Sequence, residues 1–290
     1  MQRLFKVAPI KNQRLNILVS YFYHDEKIQK LLDEHKDIIN LIYDSGAFSA
    51  MTRKKPIKLD NYMDFIHEHK LPNQTYFTLD VVGDSKATKE NYDEMIYQGF
   101  DPIPIFTRGA PFSQLDDYYK HTDYVGLGGL VGGINTPGYV KRCMRQIGRK
   151  KVHWLGFVDK NFLGYYKPYS VDSAGWTYAF RTGTYLIYLG RNEWLLFRKS
   201  KLKRRPSIEL KKIFEIYGEN WHDLNDMKSW VDGDDSKSLI KRIASRAFCL
   251  YSLEMEAVIK TRLYLSISTF YQIKAFVNAY TFWQSEGIIQ

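Results

Sequence analysis

Short apolar runs, each ending in a polar or glycine-rich stop and followed by an amphipathic stretch, recur through the first 176 residues. NILVSYFY (16–23) leads into a charged segment, INLIYDSGAF (39–48) precedes KLDNYMDFIHEHK (58–70), and QTYFTLDVVGD (74–84) precedes KATKENYDEMIYQGF (86–100). DPIPIFTRG (101–109) precedes SQLDDYYK (113–120), DYVGLGGLVGG (123–133) precedes TPGYVKRCMRQIGRK (136–150), and KVHWLGFVD (151–159) and YSVDSAGW (169–176) follow. Strand patterns alternating with helical ones predict parallel βα units, and seven of them point to an α/β fold of the TIM-like (β/α)8 barrel type. No eighth strand stands out.

The rhythm changes after Trp176. TYLIYLGRNEWLLFRK (184–199) reads as two strands around Gly190, Arg191 and Asn192, a hairpin signal. Helical patterns are expected near 207–218, 237–256 and 258–284, the last rich in Tyr, Phe and Ile. The expected division is a barrel over 1–183 and a basic hairpin with a helical C-terminal region over 184–290.

Composition narrows the class. The 290 residues are 44% hydrophobic, ordinary for a chain with a sizeable core, and 16% aromatic, enough to spare rings for stacking on planar ligands. A formal charge of +10 favours a polyanionic partner. Much of the excess lies in RNEWLLFRKSKLKRRPSIELKK (191–212), where nine basic residues outnumber two acids. Arg191, Arg198, Lys199, Lys201, Lys203, Arg204 and Arg205 are the expected nucleic-acid contacts, against the plainer alternative of a solvated basic face. Cys143 and Cys249 stand alone, so no Cys-x-x-Cys metal site can be built and a reducing compartment follows. The N-terminus lacks a signal-peptide core, and no apolar run reaches the ~20 residues of a membrane span. A cytoplasmic protein with no membrane partner, metal or cofactor is expected; the oligomeric state is not legible.

In a parallel βα barrel the chemistry sits at the C-terminal ends of the strands, where the βα loops form one face. Those ends carry Asp44, Asp80 with Asp84, Thr107 with Arg108, the glycine run 128–133, Leu155 with Gly156, and Asp172. Each aspartate has an alternative as the N-cap of the next helix. The glycine run could be a packed loop or a phosphate cradle, and it does not match GxGxxG. His153 alternates with its strand neighbours and is a weak ligand candidate. Together, carboxylates, bare glycine backbone and the ring of Phe48 suit a planar base rich in N–H donors, such as guanine.

DSGAF (44–48), GGL (128–130) followed by VGG, LGF (155–157) after KVHW, and SVDSAGW (170–176) resemble, in the same order, the signatures of the tRNA-guanine transglycosylase superfamily. The likeness spans roughly residues 40 to 180 in short motifs. It implies a barrel in which Asp172 is the nucleophile at C1′, Asp44 handles protons beside the base, Phe48 stacks on it and Asp80 reads its edge. Gly129 and Leu130 would contact the base through their backbone, and Leu155 and Gly156 would form the pocket floor.

Three departures qualify the likeness. The zinc site of the tRNA enzymes is missing, Gly133 stands near the place of a family glutamate, and Arg108 replaces a glutamine before Gly109, where it is counted as a substrate contact. A zinc-free branch acting on DNA in phages and bacterial islands is similar in these respects. The expected function is therefore exchange of guanine in DNA for a free 7-deazaguanine base such as preQ0. Exchange in tRNA, a non-catalytic nucleic-acid-binding barrel and a barrel for small phosphorylated compounds remain as alternatives.

Overall fold

The computed structural model describes residues 5–198, 207–220 and 238–290. The chain divides into two compact units, one made of Asn16–Ser173 with Ile259–Ser268, the other of Met1–Leu15, Ala174–Val258 and Thr269–Gln290. The chain thus passes between the units after Leu15, Ser173, Val258 and Ser268.

Seven strands follow the expected order: β1 Leu15–Ser20, β2 Ile39–Asp44, β3 Gln74–Tyr76, β4 Ile105–Phe106, β5 Tyr124–Leu127, β6 Lys151–Trp154 and β7 Ser170–Ser173. Two more, β8 Thr184–Gly190 and β9 Glu193–Arg198, form an antiparallel hairpin in the other unit. The eighth strand of the sheet is β10, Arg262–Ile267, inside the segment expected to be one helix over 258–284. That helix is interrupted because Lys260 takes a left-handed φ of +62° and the next residues alternate. Leu263, Leu265 and Ile267 are buried on one face and Tyr264 points with the core cluster on the other. Thr261 fixes the entry by donating its hydroxyl to the Pro168 carbonyl at 2.8 Å.

The sheet order is β3-β2-β1-β10-β7-β6-β5-β4, so β10 fills the gap between β1 and β7 with Leu18 opposite Ser266 and Tyr264 opposite Asp172. An isolated parallel bridge between Phe77 and Ile103 joins the ends, with the Thr78 N–H on the Ile103 carbonyl at 3.0 Å. This is a TIM-like α/β fold. Its helices present one apolar stripe to the strands: in the helix Thr136–Ile147 the buried residues Tyr139, Val140, Cys143, Met144 and Ile147 recur at helical spacing. No helix among the described residues is long and apolar enough to cross a membrane.

Inside the curl, Leu18, Ile42, Phe77, Ile103, Ile105 and Tyr264 form one apolar layer, with Tyr124 and Leu155 packed on it. Strand side chains alternate, so the residues two positions further along share the inward face. Beyond the floor residues themselves these are Ser20, Asp44, Leu79, Thr107 and Ser266, a mouth that is polar except for Leu79 above an apolar floor.

In the other unit, the turn residues Arg191 and Asn192 both have positive φ, 53° and 61°, the type I′ geometry a two-residue hairpin needs. Glu254 anchors this turn by accepting from the Arg191 N–H at 2.8 Å and from the Tyr188 hydroxyl. Helices cover Ile208–Ile216, Leu239–Ile259 and Phe270–Ser285.

Candidate active site

Asp172, at the end of β7, is 13% exposed and held by three groups. Its Oδ1 accepts from the Gly156 N–H at 2.6 Å and lies 3.2 Å from His153 Nε2, while Oδ2 accepts from the Ser266 hydroxyl at 2.8 Å. His153 is fully buried, its Nδ1 is 2.6 Å from Ser170 Oγ, and that oxygen is 2.5 Å from the Tyr124 hydroxyl. The partners assign the protons. A carboxylate only accepts, so Nε2 carries hydrogen, Nδ1 accepts from Ser170, and Ser170 accepts from Tyr124. Burial raises the Tyr124 phenol well above its ordinary range, keeping it a donor. Every donor from Tyr124 onward therefore points toward Asp172.

Asp44 and Asp80 are tied to the turn that follows β2. Gly46 donates its N–H to Asp44 Oδ2 at 2.9 Å, and Ser45 donates its hydroxyl to Asp80 Oδ1 at 3.1 Å. Burial, reinforced by the negative charges of Asp80 and Asp172, raises the Asp44 pKa from 3.8 to about 7, with the Gly46 N–H opposing. Asp80 is also raised by burial, against hydrogen bonds from Ser45 and from its own backbone N–H.

Close approach explains the small residues after Asp44. Gly46 has φ +79°, and a Cβ there would lie 2.3 Å from Ser20 Oγ and 2.5 Å from Phe22 Cβ. Gly46→Ala is expected to cost about 2–4 kcal/mol through overpacking and left-handed strain, read by urea denaturation; an unchanged midpoint would refute the tight fit. Phe48 follows on the short helix Ala47–Thr52 with its ring 58% exposed, free to stack.

Gly129 (φ +68°) and Gly156 (φ +67°) both adopt left-handed backbone, Leu130 is buried, and Leu155 packs on the apolar floor. Arg108 turns to the glycine loop. Its Nε donates to the Gly129 carbonyl and its Nη1 to the Ile134 carbonyl, each at 2.8 Å, and its guanidinium stacks 4.3 Å from the Tyr139 ring centre. A Cβ on Gly133 would fall 2.7 Å from that guanidinium, so a side chain at 133 would push the end of Arg108 from its present place. The helix after the loop starts at Thr136, where the Asn135 side chain accepts from the Gly138 N–H at 3.2 Å.

The helix-cap alternative applies to Asp84, which accepts from the Lys86 and Ala87 N–H groups, while Asp44, Asp80 and Asp172 cap no helix. Beside Asp80 a cleft of about 510 Å³ opens, lined among others by Met51, Lys54, Leu79, Val82 and Asn91. Arg191, in the hairpin turn, and Arg198, the last residue of β9, are exposed. Lys199, Lys201, Lys203, Arg204 and Arg205 lie outside the described residues. His153, Ser170, Tyr124 and Ser266 were not expected in the site. Strand alternation puts His153 and Ser170 on the inward face, but their pairing requires the register of β6 on β7.

Comparison with known proteins gives no match to any family model, any curated protein or any solved structure.

Proposed function

We propose that the protein exchanges guanine in DNA for a 7-deazaguanine base through a covalent intermediate on Asp172. The observation that carries this reading is the meeting, at one strand-end mouth, of a carboxylate oriented by three donors and a second carboxyl whose pKa is near 7. Two groups occupy Oδ1 and one occupies Oδ2, so Oδ2 is the less engaged oxygen and is the attacking one in this scheme. As the Oδ2–C1′ bond forms, the C1′–N9 bond breaks and its electron pair leaves with guanine. Protonated Asp44 neutralises the departing base. The incoming deazaguanine then loses its N–H proton to Asp44 and attacks C1′, breaking the ester and restoring the β configuration. A pKa close to ambient pH suits a group that must give and regain one proton per cycle.

The net charge of +10 and the basic segment 191–212 suit a nucleic-acid backbone, DNA and tRNA nearly alike, and DNA is taken from the likeness to the zinc-free branch. The target C1′ must be reached on a single strand or by flipping the nucleotide. A non-catalytic binder gains nothing from three carboxylates facing an anionic polymer. The deciding experiment offers labelled guanine or preQ0 with duplex DNA, single-stranded DNA and tRNA in parallel. Label entering DNA alone supports the proposal; label entering tRNA moves the substrate, and label entering neither defeats it.

His153 is a positioning residue in this scheme. His153→Phe is expected to slow formation of the covalent adduct about 10- to 100-fold in single turnover, with DNA affinity unchanged. His153→Gln, which can still donate to Asp172, should recover part of the rate. Equal rates in both variants would remove His153 from the chemistry.

A further inference from the structure

The cleft of about 510 Å³ beside Asp80 has no part in the exchange steps, and its walls are of two kinds. Met51, Val81 and Val82 are 50%, 37% and 39% exposed, a grouping of bare apolar side chains around one opening. Lys54 and Lys55 line the same opening, both exposed and without an ion pair among the described residues. Asn91 donates its Nδ2 to the Leu79 carbonyl at 2.9 Å and keeps its side-chain oxygen as an acceptor. The volume is that of a ligand-sized site, about 300–1,000 Å³. Two residues tie the cleft to the mouth. Asp80 lines the cleft while accepting from Ser45, in the turn that also holds Asp44. Met51 sits three positions after Phe48 on the helix Ala47–Thr52, the spacing that makes helical side chains neighbours.

We propose that this cleft holds the nucleotide that adjoins the target guanine in a DNA strand, its base against Met51, Val81 and Val82 and its phosphate at Lys54 and Lys55. Apolar side chains covering a base, with cations tracking the backbone, are the two components of single-strand binding. A purely apolar occupant would leave the two lysines unanswered, and a free phosphate would leave the apolar walls bare; a nucleotide meets both. Asp80 repels a phosphate, which places the backbone at the lysines, and an N–H donor on the base edge suits the free oxygen of Asn91. Holding the neighbour here fixes the strand while the target guanine is turned into the mouth, where the two bases no longer stack on each other. The assignment rests on the guanine-exchange reading and adds a second nucleotide site to it.

The test measures binding of the full chain to single-stranded DNA oligomers carrying one guanine, intact or with the base on either side of it removed, and to RNA of the same sequence. Thermal denaturation runs alongside. Wild type is expected to bind the intact DNA about 5- to 10-fold more tightly than one of the two DNAs lacking a neighbouring base, and Val82→Ser should lose that difference. Lys54→Gly combined with Lys55→Gln should weaken binding of every DNA about 5- to 10-fold and reduce the slope of log affinity against log salt by about 1. The fold is kept in that variant. Lys54 has φ +54° just past its helix, where its N–H meets the Met51 carbonyl at 3.1 Å and the Lys55 N–H meets that of Ala50 at 2.9 Å, an ending in which glycine is the usual residue. Its melting temperature should therefore equal or exceed that of wild type; a lower one with unchanged affinity would make the lysines structural and overturn the proposal. Oligomers bound equally with and without the neighbouring bases, by wild type and variants alike, also overturn it while leaving the exchange reading intact. Losses on RNA but not on DNA would overturn the choice of DNA, and wild type binding neither polymer defeats both readings.

Discussion

Asp172→Asn is expected to fold normally and to lose at least roughly 10⁴-fold in exchange, with no covalent adduct trapped on denaturation. The amide keeps the shape of the carboxylate, so its oxygen can still accept from the Gly156 N–H and its NH₂ can donate to a rotated Ser266 hydroxyl. What it lacks is an anionic oxygen able to form the bond to C1′. Asp172→Ala should lose activity to the same extent and stability as well. It strips the Gly156 N–H and buried His153 of their acceptor, at about 1–3 kcal/mol for each donor left unmet. Chemistry and architecture are separated by comparing the two variants in a trapping gel and a urea titration. Adduct formation by Asp172→Asn at a wild-type rate would disqualify Asp172 as the nucleophile.

The parts of this site legible from sequence are those in which one residue's position along its own strand settles the matter. Asp44 and Asp172 end apolar runs, and the end of a parallel strand in a barrel is the working end whatever its neighbours are. The parts that were not legible depend on which strands become neighbours. Ser266 reaches Asp172 only because β10 pairs with β7, and 88 residues separate Ser173 from Arg262 in the chain. The strand was hidden because YLSISTFYQI runs straight from its alternation into the next helix, so one continuous apolar, aromatic stretch read as a single helix. Arg108 shows another limit. The motif resemblance leads one to expect a base contact there, yet a long guanidinium finds three polar partners and a ring on the adjacent glycine loop and the helix after it, and Gly133 leaves it the space. A motif gives the location of a Cα; side-chain length and local acceptors decide where the charge goes.

Asp44→Asn is expected to change both the stability profile and the chemistry. In the folded chain the Asp44 carboxyl titrates near pH 7, against an ordinary value of 3.8. Between about pH 4 and 7 the folded state therefore holds a proton that the unfolded chain has released, and stability falls as pH rises through that window. Three units would correspond to about 4 kcal/mol at most. The partial exposure of Asp44 and the sharing of repulsion with Asp80 and Asp172 reduce this to about 1–3 kcal/mol. The asparagine variant should match wild type near pH 4 and exceed it by that amount at pH 8, with a shallower slope kept by Asp80, whose pKa is raised in the same direction. Its exchange rate should fall by about 10²- to 10⁴-fold at every pH, because the leaving and entering bases lose their proton carrier. The wild-type rate of base release should decline above pH 7 as Asp44 deprotonates. Urea titrations at pH 4, 6 and 8 and the single-turnover rate profile read the two effects independently. A variant no more stable than wild type at pH 8 would mean that burial and the neighbouring carboxylates do not raise Asp44. One more stable at pH 8 but still active would mean that the raised carboxyl is a cost of crowding three acids at the mouth, and that the proton moves by another route.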